Sequence, residues 1–343
     1  MDALQFVPIL VVGFMASLGL TPVSRHIAMR LGVVDKPSQR KIHHDHKPLM
    51  GGLAIYAAFV LSLVLFSPPQ HFRELGAILM GATFLALVGL LDDRYNLGIR
   101  IRLVAMVLAA VGLILSGIQI NLFNNPLVDI PLTILWVLTL TNATNFMDNM
   151  DGLTAGFCAI ASTFFMLIAF SQGLTLVSSL AAAMVGSAVG FLIYNFNPSS
   201  VFMGDMGALV LGFVLSVLGI KLKFGTQPLN VTWMVPILVL ALPLFDIALV
   251  VFTRLMEGRS PAQAGKDHTS HRLMSIGFSQ RQTLFILYGA CVLFGTLGVL
   301  VGAAPSDIAL RVGAAGLIFL AILFVIMMWV RAHYQQKPLS RTS

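Results

Sequence analysis

Long apolar stretches separated by short polar segments run along the whole chain. A helix needs about 20 mostly apolar residues to cross the roughly 30 Å hydrocarbon core of a bilayer. Eleven stretches approach or reach that length, although the third and the eighth are short. They lie at 4–22, 49–66, 76–91, 103–120, 128–146, 153–171, 174–194, 208–222, 231–252, 283–303 and 308–330. The pattern predicts an all-α polytopic membrane protein that forms a single transmembrane domain over 1–343.

The composition supports this prediction and excludes other classes of protein. Of the 343 residues, 57% are hydrophobic and only 10% are charged, whereas a soluble domain carries about 25% charged residues. A soluble enzyme, a disordered chain and a nucleic-acid-binding module are therefore excluded, and nucleic acid is not an expected partner. The first residues lack the basic segment of a cleavable signal, so the first apolar stretch is expected to remain as a span.

Basic residues concentrate in alternate loops. Of the 21 Lys and Arg residues, 17 fall on one side, in the loops 23–48, 92–102, 147–152, 195–207 and 253–282 and in the tail after 330. The other side holds Arg73, Lys221, Lys223 and Arg311. The positive-inside rule then places the first side in the cytoplasm, the N-terminus outside and the C-terminus inside. Ten of the 14 acidic residues also lie on the cytoplasmic side, which predicts a polar site at that membrane face.

Two adjacent carboxylates, Asp92 and Asp93, end the third apolar stretch. Adjacent like charges at a membrane boundary are costly unless cations or a metal ion compensate them. Because neighbouring helical residues point about 100° apart, one carboxylate can face a site while the other caps a helix or forms an ion pair. The alternative is a solvated helix end paired with Arg94, Arg100 and Arg102.

A second polar cluster follows the fifth apolar stretch. Asn142, Asn145, Asp148 and Asp151 recur every three residues, with Asn149 beside them. On a helix this spacing gives a slowly drifting polar stripe, and in a loop it gives a cluster of amide and carboxylate ligands. For Asp151 alone, the Asp-Gly pair also fits a helix cap.

A third candidate is Asp205, which lies between Gly204 and Gly207 at the start of the eighth stretch. Glycine permits a close approach of the backbone. A single carboxylate there suits Mg²⁺, which keeps several water ligands and bridges to substrate phosphates. The alternative is an aspartate that caps its own helix.

Two basic loops complete the set. His268, His271 and Arg272 lie in the loop 253–282, where no third ligand completes a zinc site, so a cationic cradle for phosphate fits better. The first loop contains Lys41 among several basic residues and also suits anionic lipid headgroups. Carboxylates for a divalent cation, cations for phosphates and amides for a polar group are typical of phosphoryl transfer. The chain has no Walker-type glycine-rich loop.

The sequence resembles the polyprenyl-phosphate N-acetylhexosamine-1-phosphate transferases. The matching stretches, in order, are DKPSQRKIHHDHKPLMGG, GLLDDR, NATNFMDNMDGL, NFNPSSVFMGD, PLFD and GRSPAQAGKDHTSHRL. The resemblance implies transfer of a sugar 1-phosphate, N-acetylglucosamine 1-phosphate in the first instance, from a UDP-sugar to polyprenyl (undecaprenyl) phosphate with release of UMP. The implied cofactor is Mg²⁺, with Mn²⁺ as a substitute, and the implied place is the inner membrane, with the active site facing the cytoplasm.

The resemblance also implies residue roles. Asp205 matches the metal-binding position, and Asp92 and Asp93 match an acidic pair that orients or deprotonates the lipid phosphate or helps to bind the metal. Asp148 and His268 match further catalytic positions. Matches to substrate-binding positions are Lys41, Asn145, Asp151, Asn195, Phe202, His271 and Arg272, of which Asp151, Asn195 and Phe202 match the uracil pocket.

Two other functions remain open at this point. One is the phospho-MurNAc-pentapeptide transferase reaction of peptidoglycan synthesis, which related enzymes catalyse. The other is a membrane transporter, which predicts broken helices and ionisable residues near the bilayer midplane. Here the charges cluster at the ends of the apolar stretches, which favours the enzyme. The expected partners are the UDP-sugar, the polyprenyl phosphate, the lipid bilayer and a second copy of the chain in a homodimer.

Overall fold

Fourteen α-helices and one short β-ladder form the part of the chain that the computed structural model describes, residues 3–35, 47–222, 229–263 and 265–335. The first seven helices are α1 (Val7–Leu31), α2 (Gly51–Phe66), α3 (Phe72–Tyr95), α4 (Ile99–Leu115), α5 (Pro126–Met147), α6 (Leu153–Ser171) and α7 (Thr175–Asn195). The others are α8 (Gly204–Lys221), α9 (Leu229–Thr232), α10 (Met234–Val239), α11 (Ala241–Met256), α12 (Thr269–Ser275), α13 (Gln280–Ala303) and α14 (Ser306–Tyr334). Strands β1 (Val34–Asp35) and β2 (Lys47–Pro48) pair antiparallel.

Eight helices in the described part of the chain are long and apolar enough to cross a membrane: α1, α3, α5, α6, α7, α8, α13 and α14. The prediction of an all-α polytopic membrane protein is therefore confirmed. The count of eleven spans stays a prediction, because α2 has 16 residues and α4 has 17. The third stretch, predicted at 76–91, is a helix of 24 residues that continues through both carboxylates of the acidic pair.

The stretch predicted as one span at 231–252 is interrupted, and the expectation of one continuous helix there was wrong. It forms α9, α10 and α11, with breaks at Trp233 and Leu240. Pro236 and Pro243 have no backbone N–H, so they cannot donate to the carbonyl groups four residues earlier, and their rings crowd the preceding turn. Both prolines are present in the sequence, but the stretch is long enough to span a membrane, and this length favoured the prediction of a single unbroken helix.

Helix α3 packs antiparallel to α8, and two polar contacts mark the ends of this pair. At one end, Lys221 forms an ion pair with Glu74 at 2.7 Å. At the other end, α3 finishes at Tyr95 and α8 begins at Gly204; we name this the aspartate end of the bundle. Gly89 permits the close approach there, because a side chain at that position would lie 2.5 Å from the backbone of Met206.

Candidate active site

Asp92 and Asp205 share one arginine at the aspartate end. The Nη1 atom of Arg102 donates to Oδ2 of Asp92 and to Oδ2 of Asp205, each at 2.9 Å. Both oxygens lie at this distance from a single nitrogen, so they are separated by no more than twice that distance. The structure thus brings two predicted residues from distant parts of the sequence to one point. Arg102 had been considered only as a surface partner of the acidic pair, and its place in the first turn of α4 was the available signal.

Asp92 is buried, and only 5% of its surface is exposed. Its second oxygen, Oδ1, is sealed from solvent and has no hydrogen-bond partner in the described chain. An unpaired buried carboxylate oxygen carries a large desolvation cost. This oxygen therefore marks a position at which a further cation or proton would be stabilised.

Asp93 has a different environment from Asp92. Its two oxygens accept the backbone N–H groups of Asp205 at 2.8 Å and Met206 at 3.3 Å. These are unpaired donors of the first turn of α8, and the N-terminal end of a helix attracts negative charge. Asp93 therefore caps α8 from another helix. This contact positions the start of α8, and the predicted role of Asp93 in catalysis or metal binding stays a prediction.

Asp205 is the second residue of α8 and does not cap its own helix, so that alternative was wrong. Gly204, which begins the helix, has a φ of +73°, a backbone conformation that favours glycine. Asn145 donates from Nδ2 to Oδ1 of Asp205 at 2.7 Å. The end of the polar stripe on α5 thus joins the carboxylate centre, whereas Asn142 instead bonds the Leu138 carbonyl in its own helix.

Asp148 follows the last residue of α5. Burial raises the pKa of its carboxyl group to about 7, and the negative charges of Asp205 and Asp151 add to the effect. A carboxyl group with a pKa near neutrality is suited to proton transfer at physiological pH. Asp148 thus lies within the electrostatic reach of Asp205.

Asp151 and Asn195 organise the loop that precedes α8. Asp151 accepts the backbone N–H and the hydroxyl of Ser199 at 3.0 and 2.8 Å. Asn195 accepts the backbone N–H of Gly152 and donates to the carbonyl of Val201, both at 3.0 Å, and it is 3% exposed. Both side chains thus hold the backbone of this loop in place, and their predicted contact with uracil stays a prediction.

Phe202 lies beside a cation at the other end of that loop. The Lys47 ammonium group is 5.5 Å from the centroid of the Phe202 ring, a cation–π geometry. Lys47 also donates to the carbonyl of Ser199. Lys47 was not among the predicted site residues, although it ends the basic first loop. The predicted residue Lys41 lies outside the described residues.

His268 and His271 flank the first turn of α12. Nδ1 of His268 bonds Oδ2 of Asp246 at 2.8 Å, and the two imidazole rings are 6.0 Å apart. Burial lowers the pKa of His271 to about 4, and the neighbouring His268 and Lys266 contribute further. His271 is therefore neutral at pH 7. Asp246 belongs to the PLFD stretch but had not been predicted as a site residue.

Arg272 is fully buried and its guanidinium is held by protein groups, while its predicted contact with substrate stays a prediction. Its guanidinium donates to the carbonyl groups of Asp267 and Met327 and to the hydroxyl of Thr253. Burial lowers the pKa of Arg272 to about 10, which still leaves it protonated at pH 7. Through these contacts Arg272 fixes α12 to α11 and α14.

Three further arginines surround the Asp267 carboxylate. Arg254 donates to it at 2.9 Å, Arg259 at 2.8 Å and Arg331 at 2.7 Å. Burial alone would raise the pKa of Asp267, but the hydrogen bonds from Arg259 and Arg254 and the charge of Arg331 hold it well below its usual range. This cluster joins the loop before α12 to the ends of α11 and α14.

The donors at the aspartate end suit a hard divalent cation. Carboxylate oxygens of Asp92 and Asp205 are the ligand type that Mg²⁺ prefers, and this ion usually takes only one or two carboxylates from the protein. In the described residues, no group of three or more His, Cys, Asp or Glu side chains could hold a metal ion. Phosphate oxygens and water would have to complete the coordination.

Comparison with known proteins identifies the family to which this chain is related. Residues 75–223 match the family model described as glycosyl transferase family 4. The chain is 32% identical, over 331 residues, to a probable undecaprenyl-phosphate N-acetylglucosaminyl 1-phosphate transferase of Bacillus subtilis, with 94% of this chain and 90% of that protein covered. It is 27% identical to an undecaprenyl-phosphate alpha-N-acetylglucosaminyl 1-phosphate transferase of Yersinia pestis, with 84% and 82% covered, and 30% identical to one of Escherichia coli O157:H7, with 81% and 78% covered.

Proposed function

Because the chain belongs to glycosyl transferase family 4, we propose that it transfers N-acetylglucosamine 1-phosphate from UDP-N-acetylglucosamine to undecaprenyl phosphate and releases UMP. This reaction is the first membrane step in the synthesis of a cell-envelope polysaccharide or teichoic acid. The observation that carries the proposal is the convergence of Asp92, Asp205 and Arg102 at one end of the helices. A relative named as an undecaprenyl-phosphate N-acetylglucosaminyl 1-phosphate transferase covers 94% of the chain.

The reaction requires a nucleophile, a phosphorus centre and a leaving group in line. An oxygen of the lipid phosphate forms a bond to the β-phosphorus of the UDP-sugar, while the bond from that phosphorus to the bridging oxygen breaks. The bridging oxygen keeps the electron pair and leaves with UMP. Arg102, which contacts both Asp92 and Asp205, would offset negative charge on the transferring phosphoryl group. Asp148, with its raised pKa, accepts a proton from the lipid phosphate when that group arrives protonated.

Asp92 and Asp205 would hold the Mg²⁺ ion, since Oδ1 of Asp92 is buried without a partner and Asp205 is half-buried beside it. When bound, the ion supplies charge neutralisation at the diphosphate oxygens. Asn145 then serves to orient Asp205, because its amide holds the second carboxylate oxygen at 2.7 Å.

The acceptor determines where this site must lie. An undecaprenyl chain dissolves only in the bilayer, so its phosphate reaches the protein at a membrane face. The aspartate end also carries Arg94, Arg100, Arg254, Arg259 and Arg331, while the described opposite end has Arg73, Lys221 and Arg311. The positive-inside rule therefore supports a cytoplasmic orientation of the site in the inner membrane, the side that UDP-sugars occupy.

The decisive experiment is a transferase assay on the purified full chain in detergent or nanodiscs. We expect UMP and undecaprenyl-diphospho-N-acetylglucosamine to form from UDP-N-acetylglucosamine only when undecaprenyl phosphate and Mg²⁺ are both present. UDP-MurNAc-pentapeptide in place of the sugar nucleotide tests the peptidoglycan alternative, and turnover of that donor alone would contradict the proposal.

Matched variants identify the site in the same assay. Asp205→Asn and Asp92→Asn should each abolish UMP release, because neither amide can carry the negative charge that the ion needs. The control is Asp129→Asn, a buried aspartate that holds backbone N–H groups of the loop before α5. Full activity in both Asp92 and Asp205 variants would show that the reaction occurs elsewhere.

A further inference from the structure

Asp246 and His268 form a buried carboxylate–imidazole pair. Oδ2 of Asp246 lies 2.8 Å from Nδ1 of His268, and the residues are 3% and 6% exposed. A carboxylate can only accept a hydrogen bond, so Nδ1 must carry the proton. In the neutral imidazole, Nε2 is then the unprotonated nitrogen.

The second oxygen of Asp246 fixes the segment that carries this histidine. Oδ1 accepts the backbone N–H of Thr269 at 2.7 Å, the first residue of α12. Asp246 therefore holds both the ring of His268 and the backbone immediately after it. One carboxylate on α11 thus determines where the ring lies and which way it faces.

The ring is also held against the end of α5. Phe146 packs edge-on to His268, with ring centroids 6.1 Å apart and planes at 90°. Phe146 follows Asn145, which bonds Asp205 at 2.7 Å. Ser270 donates to Oδ1 of Asn149 at 2.7 Å and so docks α12 on the same segment. These contacts connect the histidine to the polar stripe of the candidate active site.

Nε2 is the ring atom that the protein leaves available. Within the described chain the hydrogen bond of the His268 ring is the one between Nδ1 and Asp246, and 8% of the side chain is exposed. A histidine with one nitrogen fixed by a carboxylate and the other open is arranged to exchange a proton or to donate to an anionic oxygen.

We propose that Asp246 is a positioning residue for the transfer reaction: it fixes His268 in one tautomer and directs Nε2 to the phosphate groups of the substrate. This inference rests on the proposed function. Asp246 does not touch the reacting atoms and acts only through the imidazole, which its negative charge also stabilises when His268 is protonated.

A double-mutant cycle tests the coupling. Asp246→Asn should lower kcat by about 10- to 100-fold, the range known for the loss of a carboxylate that orients a metal-ligating histidine, and KM should change little. His268→Gln should cost at least as much. The double variant should then lose little more than His268→Gln alone, because residues that act as one unit are strongly non-additive. Losses that multiply would overturn the proposal.

Two further measurements separate positioning from simple stabilisation. Asp246→Glu, which keeps the carboxylate, should recover part of the lost kcat even if Asp246→Asn folds poorly; no recovery in a folded Asp246→Glu protein counts against the proposal. NMR of ¹⁵N-histidine protein, with His268 identified by signal loss in His268→Gln, should show a protonated Nδ1 in the wild type. A neutral ring protonated at Nε2 and not at Nδ1 would contradict the pair.

The outcomes also distinguish this proposal from the proposed function. If the wild type transfers no sugar phosphate from any nucleotide sugar, the proposed function fails, while the NMR tautomer still decides whether the pair exists. If the wild type is active and Asp246→Asn keeps full kcat, only the positioning role fails. Asp129→Asn, at the opposite end, is the control for the loss of a buried aspartate and should retain full kcat.

Discussion

The carboxylate of Asp93 accepts the backbone N–H of Asp205 at 2.8 Å, although 112 residues separate them in the sequence. Met203, the residue that precedes α8, provides no side-chain cap for this helix. The capping carboxylate comes instead from Asp93 on α3. The two neighbouring aspartates thus make different contacts. Asp92 accepts a hydrogen bond from Arg102, and Asp93 caps the helix that carries Asp205.

Asp93→Ala should therefore reduce both stability and activity. Loss of a helix N-cap costs about 0.5–2 kcal/mol of unfolding free energy, and the first turn of α8 would no longer fix Asp205. We expect a lower thermal midpoint in detergent and at least about tenfold slower UMP release. Asp307→Ala, which removes an exposed aspartate from the first turn of α14, is the control. Equal losses in both variants would contradict the capping role.

Arg102→Gln removes the cation that Asp92 and Asp205 share. Its single donor atom contacts both carboxylates, so the two negative charges would then face each other without compensation. We expect a fall in kcat of about 10²- to 10³-fold, the range for loss of one charge-stabilising donor. Arg100→Gln, an exposed neighbour in the same turn, is the control. A similar loss in Arg100→Gln would point to general surface charge.

Much of this site was predictable because of helix direction. Asp92 ends one apolar stretch, Asn145 ends another, and Asp205 begins a third, so alternation of the spans places all three at one face. The hydrogen bonds from Arg102 to Asp92 and Asp205, and from Asn145 to Asp205, show that these residues meet, while their roles stay predictions.

The side-chain partners were not predictable in the same way. Whether a basic residue faces substrate or a neighbouring helix depends on the docking of α11, α12 and α14, and no local pattern encodes it. Arg272 follows the two histidines in sequence, yet its guanidinium is sealed by Met327 and Thr253. The role of Asp246 was not predictable because the sequence shows only a single carboxylate on an apolar helix. Its partner, His268, lies 22 residues later and meets it only in the folded chain.

Asp148 should control the pH dependence of activity. Its pKa in the folded protein is about 7, so the unprotonated form required of a base accumulates as pH rises through 7. We expect UMP release to increase between about pH 6 and pH 8. Asp148→Asn should be slower at every pH and should lose this increase. An unchanged pH profile in Asp148→Asn would assign the titration to another group.

The raised pKa of Asp148 also predicts that the Asp148→Asn variant is more stable than the wild type at alkaline pH. The folded protein holds a proton on Asp148 that the unfolded chain releases above about pH 4, so the aspartate lowers stability as pH rises from about 4 to about 7. Asp148→Asn removes this cost and should unfold at a higher temperature than the wild type at pH 8, but not at pH 4. Asp307→Asn, at an exposed position, should give no such difference.

Substitution of Asp267 is expected to lower the free energy of unfolding more than substitution of any other carboxylate discussed above. Arg254, only 3% exposed, would be left as a buried unpaired charge in Asp267→Asn, which costs about 3–5 kcal/mol of unfolding free energy. Because its folded pKa lies well below the unfolded value, this contribution is present above about pH 4 and is lost only in stronger acid. Glu257→Gln removes a more exposed partner of two of the same arginines and should cost about 0–1 kcal/mol. Denaturation of the two variants in detergent would measure these losses of unfolding free energy. Equal losses would show that the cluster around Asp267 is solvated.

The orientation of the aspartate end can be tested without reference to catalysis. The native residues Cys158 and Cys291 are both buried, so a new surface cysteine should dominate labelling. Ala262, in the loop between α11 and α12, and Gln70, between α2 and α3, are both exposed and lie at opposite ends of the helices. If the positive-inside rule holds for this chain, an impermeant thiol reagent added to intact cells should label Gln70→Cys and should label Ala262→Cys only after the membrane is permeabilised. The reverse pattern would place the aspartate end outside, away from the cytosolic supply of UDP-sugars, and would remove the topological support for the proposed reaction.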